Sequence, residues 1–161
     1  MFDRNKKFSK LGGILMVLLA CWFVVRFYTP AAAQNAKAEK AELAPVEDDM
    51  HEFMEYVFQP TYKQLQQAMK SEPQSGGEWF KVKSGALILA EGGNLILLRG
   101  PDSDREAWSA HSVAVRESGG KMYRAAQEKD FEQASKHYRS MLNNCNACHQ
   151  EFADGEYQLS P

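Results

Sequence analysis

From residue 46 onward, apolar positions recur at three- and four-residue steps in four separate stretches, and no long run alternates with the period of two expected of a strand. In the first, about Val46 to Lys70, the repeating face is Met50, Met54, Val57 or Phe58, Tyr62, Leu65 and Met69. Pro60 falls inside it and is predicted to kink the helix, because proline lacks the amide donor and crowds the preceding turn. The second, about Glu78 to Arg99, carries Trp79, Val82, Ala86, Leu89, Ile96 and Leu97. Gly92 and Gly93 are expected to weaken its middle, each by roughly 1 kcal/mol relative to alanine, and Gly100-Pro101 ends it. The third opens on Ser103-Asp104-Arg105-Glu106, which has the form of a capping box, and continues through Trp108, His111 or Ser112, Val115, Met122 and Ala126. The fourth starts near Asp130, with Gln133 three residues on. Its face is Phe131, Ala134, Tyr138, Met141, Leu142, Cys145, Cys148, His149 and Phe152. Four amphipathic helices with short joins predict an all-α fold, an antiparallel up-down-up-down four-helix bundle over residues 46–161.

The first 33 residues follow another pattern. Met1 to Lys10 is basic, Leu11 to Val25 is uncharged and apolar, and Ala31-Ala32-Ala33 follows a short polar stretch. That order is the layout of a secretory signal peptide, with cleavage expected after Ala33. Two alternatives stay open. The segment could remain as an N-terminal membrane anchor through residues 11–28, or Leu18-Leu19-Ala20-Cys21 could serve as a lipoprotein box. Each puts the domain outside the cytoplasm, in the periplasm or on the outer face of the cytoplasmic membrane. Residues 34–45, small, charged and alanine-rich, read as a linker.

Charge narrows the classes of partner. The whole chain of 161 residues carries a formal charge of −2, but residues 34–161 hold 14 basic against 20 acidic side chains. A net acidic domain argues against binding a phosphate backbone, so no nucleic-acid partner is expected. No catalytic triad, phosphate-binding glycine loop or paired carboxylates are evident, and the chain is not read as an enzyme.

The chemistry lies near the C-terminus. Cys145-Asn146-Ala147-Cys148-His149 is C-x-x-C-H, the c-type haem attachment signature. On a helix, positions i, i+3 and i+4 share a face. Two thiols one turn apart can add to the two vinyl groups of a porphyrin, and the adjacent histidine then supplies a nitrogen to the iron. Zinc would want about four ligands, and no second Cys/His pair is present. A thioredoxin-like redox pair would want a βαβ setting, which the pattern lacks. The cofactor expected is one covalent haem c, bound through Cys145, Cys148 and His149.

A C-x-x-C-H at the end of a fourth helix resembles the class II cytochromes c, the cytochrome c′ family with its low-spin relatives, over most of residues 46–153. Trp108, early in the third helix, is similar to a tryptophan of that family, and Phe152 stands where it often has an aromatic residue. The chain departs from the pattern at Ala153, where an arginine is frequent, and at Asp49-Met50-His51-Glu52, where a basic residue is frequent. In an antiparallel bundle the end of the fourth helix lies beside the start of the first, so the far side of the iron should face residues 47–58. The resemblance to the low-spin members implies a methionine there as sixth ligand. Met54 is the preferred candidate and Met50 the alternative, with His51 or no protein ligand also open. His111 and His137 are read as edge residues.

The function expected is electron transfer by an exported monohaem cytochrome with His149 as proximal ligand, working with redox partner proteins. The alternative is a five-coordinate cytochrome c′ that binds nitric oxide or carbon monoxide in a pocket formed by Phe53, Val57 and Phe58. A membrane tether and a homodimer both stay open as associations.

Overall fold

Asp49, Ser75 and Asp130 each sit before a helical run, and each accepts a hydrogen bond from the amide three residues on, those of Glu52, Glu78 and Gln133. These side chains satisfy amide donors that a helix start leaves free. The computed structural model describes residues 43–161; the expected export segment, Cys21 and most of the 34–45 linker lie outside them. Within the described residues the chain is all-helical, and four helices pack against one another. The first is composite: α1 (Met50–Phe53), a π-helical turn (Met54–Phe58) and α2 (Gln59–Ala68) follow without a break. Then come α3 (Gly76–Leu97), α4 (Arg105–Glu128) and α5 (Phe131–Phe152).

The π turn is the form that the expected disturbance at Pro60 takes. An α-helical Pro60 would have no proton for the carbonyl of Tyr56, and its ring would press on that carbonyl. The helix widens just upstream instead, with the Gln59 amide reaching back five residues to the Met54 carbonyl. The Thr61 hydroxyl donates to the Val57 carbonyl at 2.9 Å.

The third helix does not begin as its sequence predicts. Ser103 lies outside α4, the residue before the helix is Asp104 with φ of 55°, and no side chain caps it. The left-handed turn at Asp104 takes the Ser103 hydroxyl away from the first amides. The start is held from elsewhere. Arg105 donates to the Gly100 carbonyl at 2.8 Å, and the Trp108 indole N–H donates to the Ile96 carbonyl at 2.9 Å. Tryptophan thus ties the beginning of α4 to the end of α3.

The core is the set of faces read from periodicity. Leu65, Val82, Ala86, Met122, Ala126, Ala134 and Met141 are fully buried, with Phe58, Trp79, Leu89, Ile96, Trp108, Val115, Tyr138 and Leu142 beside them. At the undecided position of α4, Ser112 points inward and bonds to the Trp108 carbonyl, leaving His111 at the edge. Phe53 is buried under the guanidinium of Arg99, which stands 3.7 Å above its ring.

The glycines of α3 are contact points rather than weak points. A Cβ on Gly92 would stand 2.5 Å from the Phe58 ring, and one on Gly93 would stand 2.8 Å from the Ser112 carbonyl oxygen and 2.9 Å from the Arg116 amide nitrogen. Their hydrogens let the composite helix and α4 come closer than any other residue would allow. Gly93→Ala is therefore expected to destabilise, although alanine favours a helix by about 1 kcal/mol. Backbone atoms of α4 cannot move aside locally, and overpacking of this kind costs about 1–3 kcal/mol. Gly77→Ala, whose Cβ would meet only the Ser75 hydroxyl at 3.9 Å, should be neutral or stabilising. Chemical denaturation of the two variants checks the contrast.

Candidate functional site

Cys145, Cys148 and His149 fall in the last two turns of α5. Their spacing puts all three on one face. That face lines a cavity of about 510 Å³, and the cavity also takes in Leu89 and Ile96 of α3, Trp108 and Val115 of α4, and Met141 and Leu142 of α5. The volume falls within the roughly 300–1,000 Å³ typical of cofactor sites, and the lining is mostly apolar in the same way. The residues present fit a large, mostly apolar group that the two cysteines and the histidine would hold from one wall.

The opposite wall comes from the composite helix. Met50, His51, Met54, Phe58 and Tyr62 all line the cavity. Met54 opens the π turn, and both methionines are partly buried against the core. The structure brings each candidate sixth ligand to the same space as His149. His51 lies at the rim, with its side chain 62% exposed and its Nε2 3.7 Å from the Glu55 carboxylate. Of the expected apolar trio only Phe58 is part of the lining; Phe53 is packed under Arg99, and Val57 does not line the cavity either.

His149 is oriented by the end of the chain. Its Nδ1 lies 2.9 Å from the backbone carbonyl oxygen of Tyr157. A carbonyl oxygen only accepts, so Nδ1 carries the proton and the neutral ring keeps its lone pair on Nε2. Asn146, an unassigned position of the motif, clasps the same tail. Its side chain donates to the Leu159 carbonyl at 2.9 Å and accepts from the Leu159 amide at 2.7 Å. The Tyr62 hydroxyl donates to the Ser160 carbonyl at 2.7 Å, which ties the tail to α2. Tyr157 and Leu159 join the cavity lining. Sequence reading missed this tail, since residues after Phe152 carry no helical period. An asparagine set between the two cysteines was the one sign in the sequence.

Trp108 and Phe152 meet edge to face at 5.0 Å, and both line the cavity. His111 stands against Phe152 and pairs with the Glu151 carboxylate at 2.7 Å. It borders the cavity, while His137 does not.

The thiols are not poised for redox exchange. Burial pushes Cys145 up to about 12, helped by the neighbouring Cys148. Burial, with Glu151 next, pushes Cys148 up to about 11. A dithiol redox centre needs the reverse, a lowered pKa and a ready thiolate. Among the described residues no group of three or more His, Cys, Asp and Glu side chains is arranged to hold a bare metal ion, and no helix is long and apolar enough to cross a membrane. No protein-family model matches the sequence, and no curated protein does.

A pH dependence follows from the raised thiols. In folded chain made without cofactor attachment, alkylation at pH 8 should run roughly a thousandfold slower at Cys145 and about a hundredfold slower at Cys148 than in unfolded chain, in proportion to thiolate present. The deficit should shrink as pH rises toward 11. Mass spectrometry of time-resolved alkylation reads both sites, and equal rates in folded and unfolded chain would contradict the burial.

Proposed function

We propose that this chain is an exported monohaem c-type cytochrome of the class II type that transfers electrons. In this reading it is an antiparallel up-down-up-down bundle. One haem c joins Cys145 and Cys148, and His149 ligates the iron. The observation that carries the reading is the convergence of the two thiols and the histidine on one wall of a large apolar cavity. When bound, the haem supplies a one-electron ferric–ferrous couple.

The chain's own residues do the rest. Leu89, Ile96, Val115, Met141 and Leu142 exclude water, which lowers the local dielectric and the reorganisation that accompanies a change of charge. His149 offers Nε2 because its other nitrogen is occupied. Met54 offers a soft thioether from the opposite wall, which raises the potential of the couple. The basic, apolar and Ala-x-Ala order of residues 1–33 supports export, where cytochromes of this type are completed.

The apolar lining contributed by Phe58 also favours a second reading, a five-coordinate site for nitric oxide or carbon monoxide. Spectroscopy separates the two. Acidified organic solvent should fail to extract haem from the denatured protein, and Cys145→Ala with Cys148→Ala should abolish attachment. The ferrous wild type should be low-spin and bind carbon monoxide slowly. Met54→Ala should turn the iron high-spin, speed carbon monoxide binding and lower the reduction potential. Met50→Ala should leave the spectrum unchanged. A wild type already high-spin would transfer the proposal to gas binding, and extractable haem would end both readings.

A further inference from the structure

We infer that the C-terminal tail, through the main-chain carbonyl of Tyr157, is a positioning element for His149 that sets the electron richness of its ring and holds down the reduction potential of the couple. The inference rests on the haem reading above and goes beyond it.

Asp154 and Gly155, with φ of 50° and 76°, make a left-handed turn of the kind that commonly ends a helix, but Tyr157 beyond them also has a positive φ, 57°. For a residue other than glycine the left-handed region costs roughly 1–2 kcal/mol. Strain of this kind persists only where surrounding contacts enforce it, and such places cluster at functional sites. The contacts are on both sides of Tyr157. Upstream, the Gly155 amide donates to the His149 carbonyl at 3.0 Å. Downstream, Asn146 holds Leu159 through two hydrogen bonds, and Tyr62 and Gln66 hold the Ser160 carbonyl. The chain is thus pinned before and after the residue whose carbonyl meets Nδ1.

An acceptor at Nδ1 draws that proton away from the ring and leaves more electron density at Nε2. A more basic ligand stabilises the ferric state over the ferrous one, so the potential falls. Losing an outer-shell partner of this kind commonly costs about ten- to a hundredfold in metal affinity or activity, so its effect on the metal is not small.

The test separates the carbonyl from the side chain. In the holoprotein, Tyr157→Asn keeps the carbonyl and a residue that tolerates positive φ. Tyr157→Pro locks φ near −65° and turns the carbonyl away. The readouts are the reduction potential and the exchange rate of the His149 Nδ1 proton by NMR. Tyr157→Asn takes the ring from the cavity lining but should keep wild-type proton exchange, and its potential is the baseline against which Tyr157→Pro is read. Tyr157→Pro should keep its covalent haem, exchange the proton faster, and shift upward in potential by about the 59 mV that a tenfold change in the ferric-to-ferrous ratio represents. A Tyr157→Pro holoprotein with unchanged potential and proton exchange overturns the inference while leaving the cytochrome reading intact. Wild-type protein without covalent haem overturns both. If Tyr157→Pro does not accumulate, Asn146→Ala frees Leu159 and reads the same contact. An upward shift there supports the inference, and an unchanged potential overturns it.

Discussion

The spacing of the helices is set where α3 has no side chain. At Gly92 the Phe58 ring rests on bare backbone, and at Gly93 the main chain of α4 does the same. Dispersion forces reward this proximity along the whole of both contacts, because each atom brought into range adds to the total. With α3 held tight against its neighbours on those flanks, Leu89 and Ile96 are turned toward the cavity that α5 closes. Phe58 is the last residue of the π turn before Pro60 and the one whose ring meets Gly92, so a local defect and a close approach on the next helix meet at one residue.

The cavity wall is built from residues with two duties. Trp108 fixes the start of α4 through the Ile96 carbonyl and presents its ring to Phe152 at the cavity. Tyr62 lines the space and binds the tail. Asn146 sits between the two cysteines yet spends its side chain on Leu159. Structure and site are therefore not separable at this end of the molecule, and the polar contacts that close the chain are the ones that aim the histidine.

Periodicity carried the fold. The apolar steps named every large buried side chain of the four helices except Phe53, because a helix that must bury one stripe has few ways to arrange it; the small buried residues, such as Ala90, Ser118, Gly119 and Ala125, escaped. The motif likewise named the three residues that meet at the cavity. What escaped has a common cause, since period and motif speak of side chains within one element. The glycines of α3 read as weak positions because their value lies in the neighbour each one touches. Ser103 read as a cap because the left-handed turn at Asp104 is invisible in composition. The tail carbonyl at His149 is a backbone atom, which any residue supplies, so no sequence pattern marks it.

The burial of Cys145 and Cys148 has a consequence for the order of assembly. In the closed bundle both thiols hold their protons well beyond physiological pH, and Cys145 faces inward beneath α5. Neither is then the thiolate that adds most readily to a carbon–carbon double bond. Under the cytochrome reading, bond formation belongs to the open chain, while the motif is still exposed and the thiols still titrate normally. The finished core then closes around a group already in place.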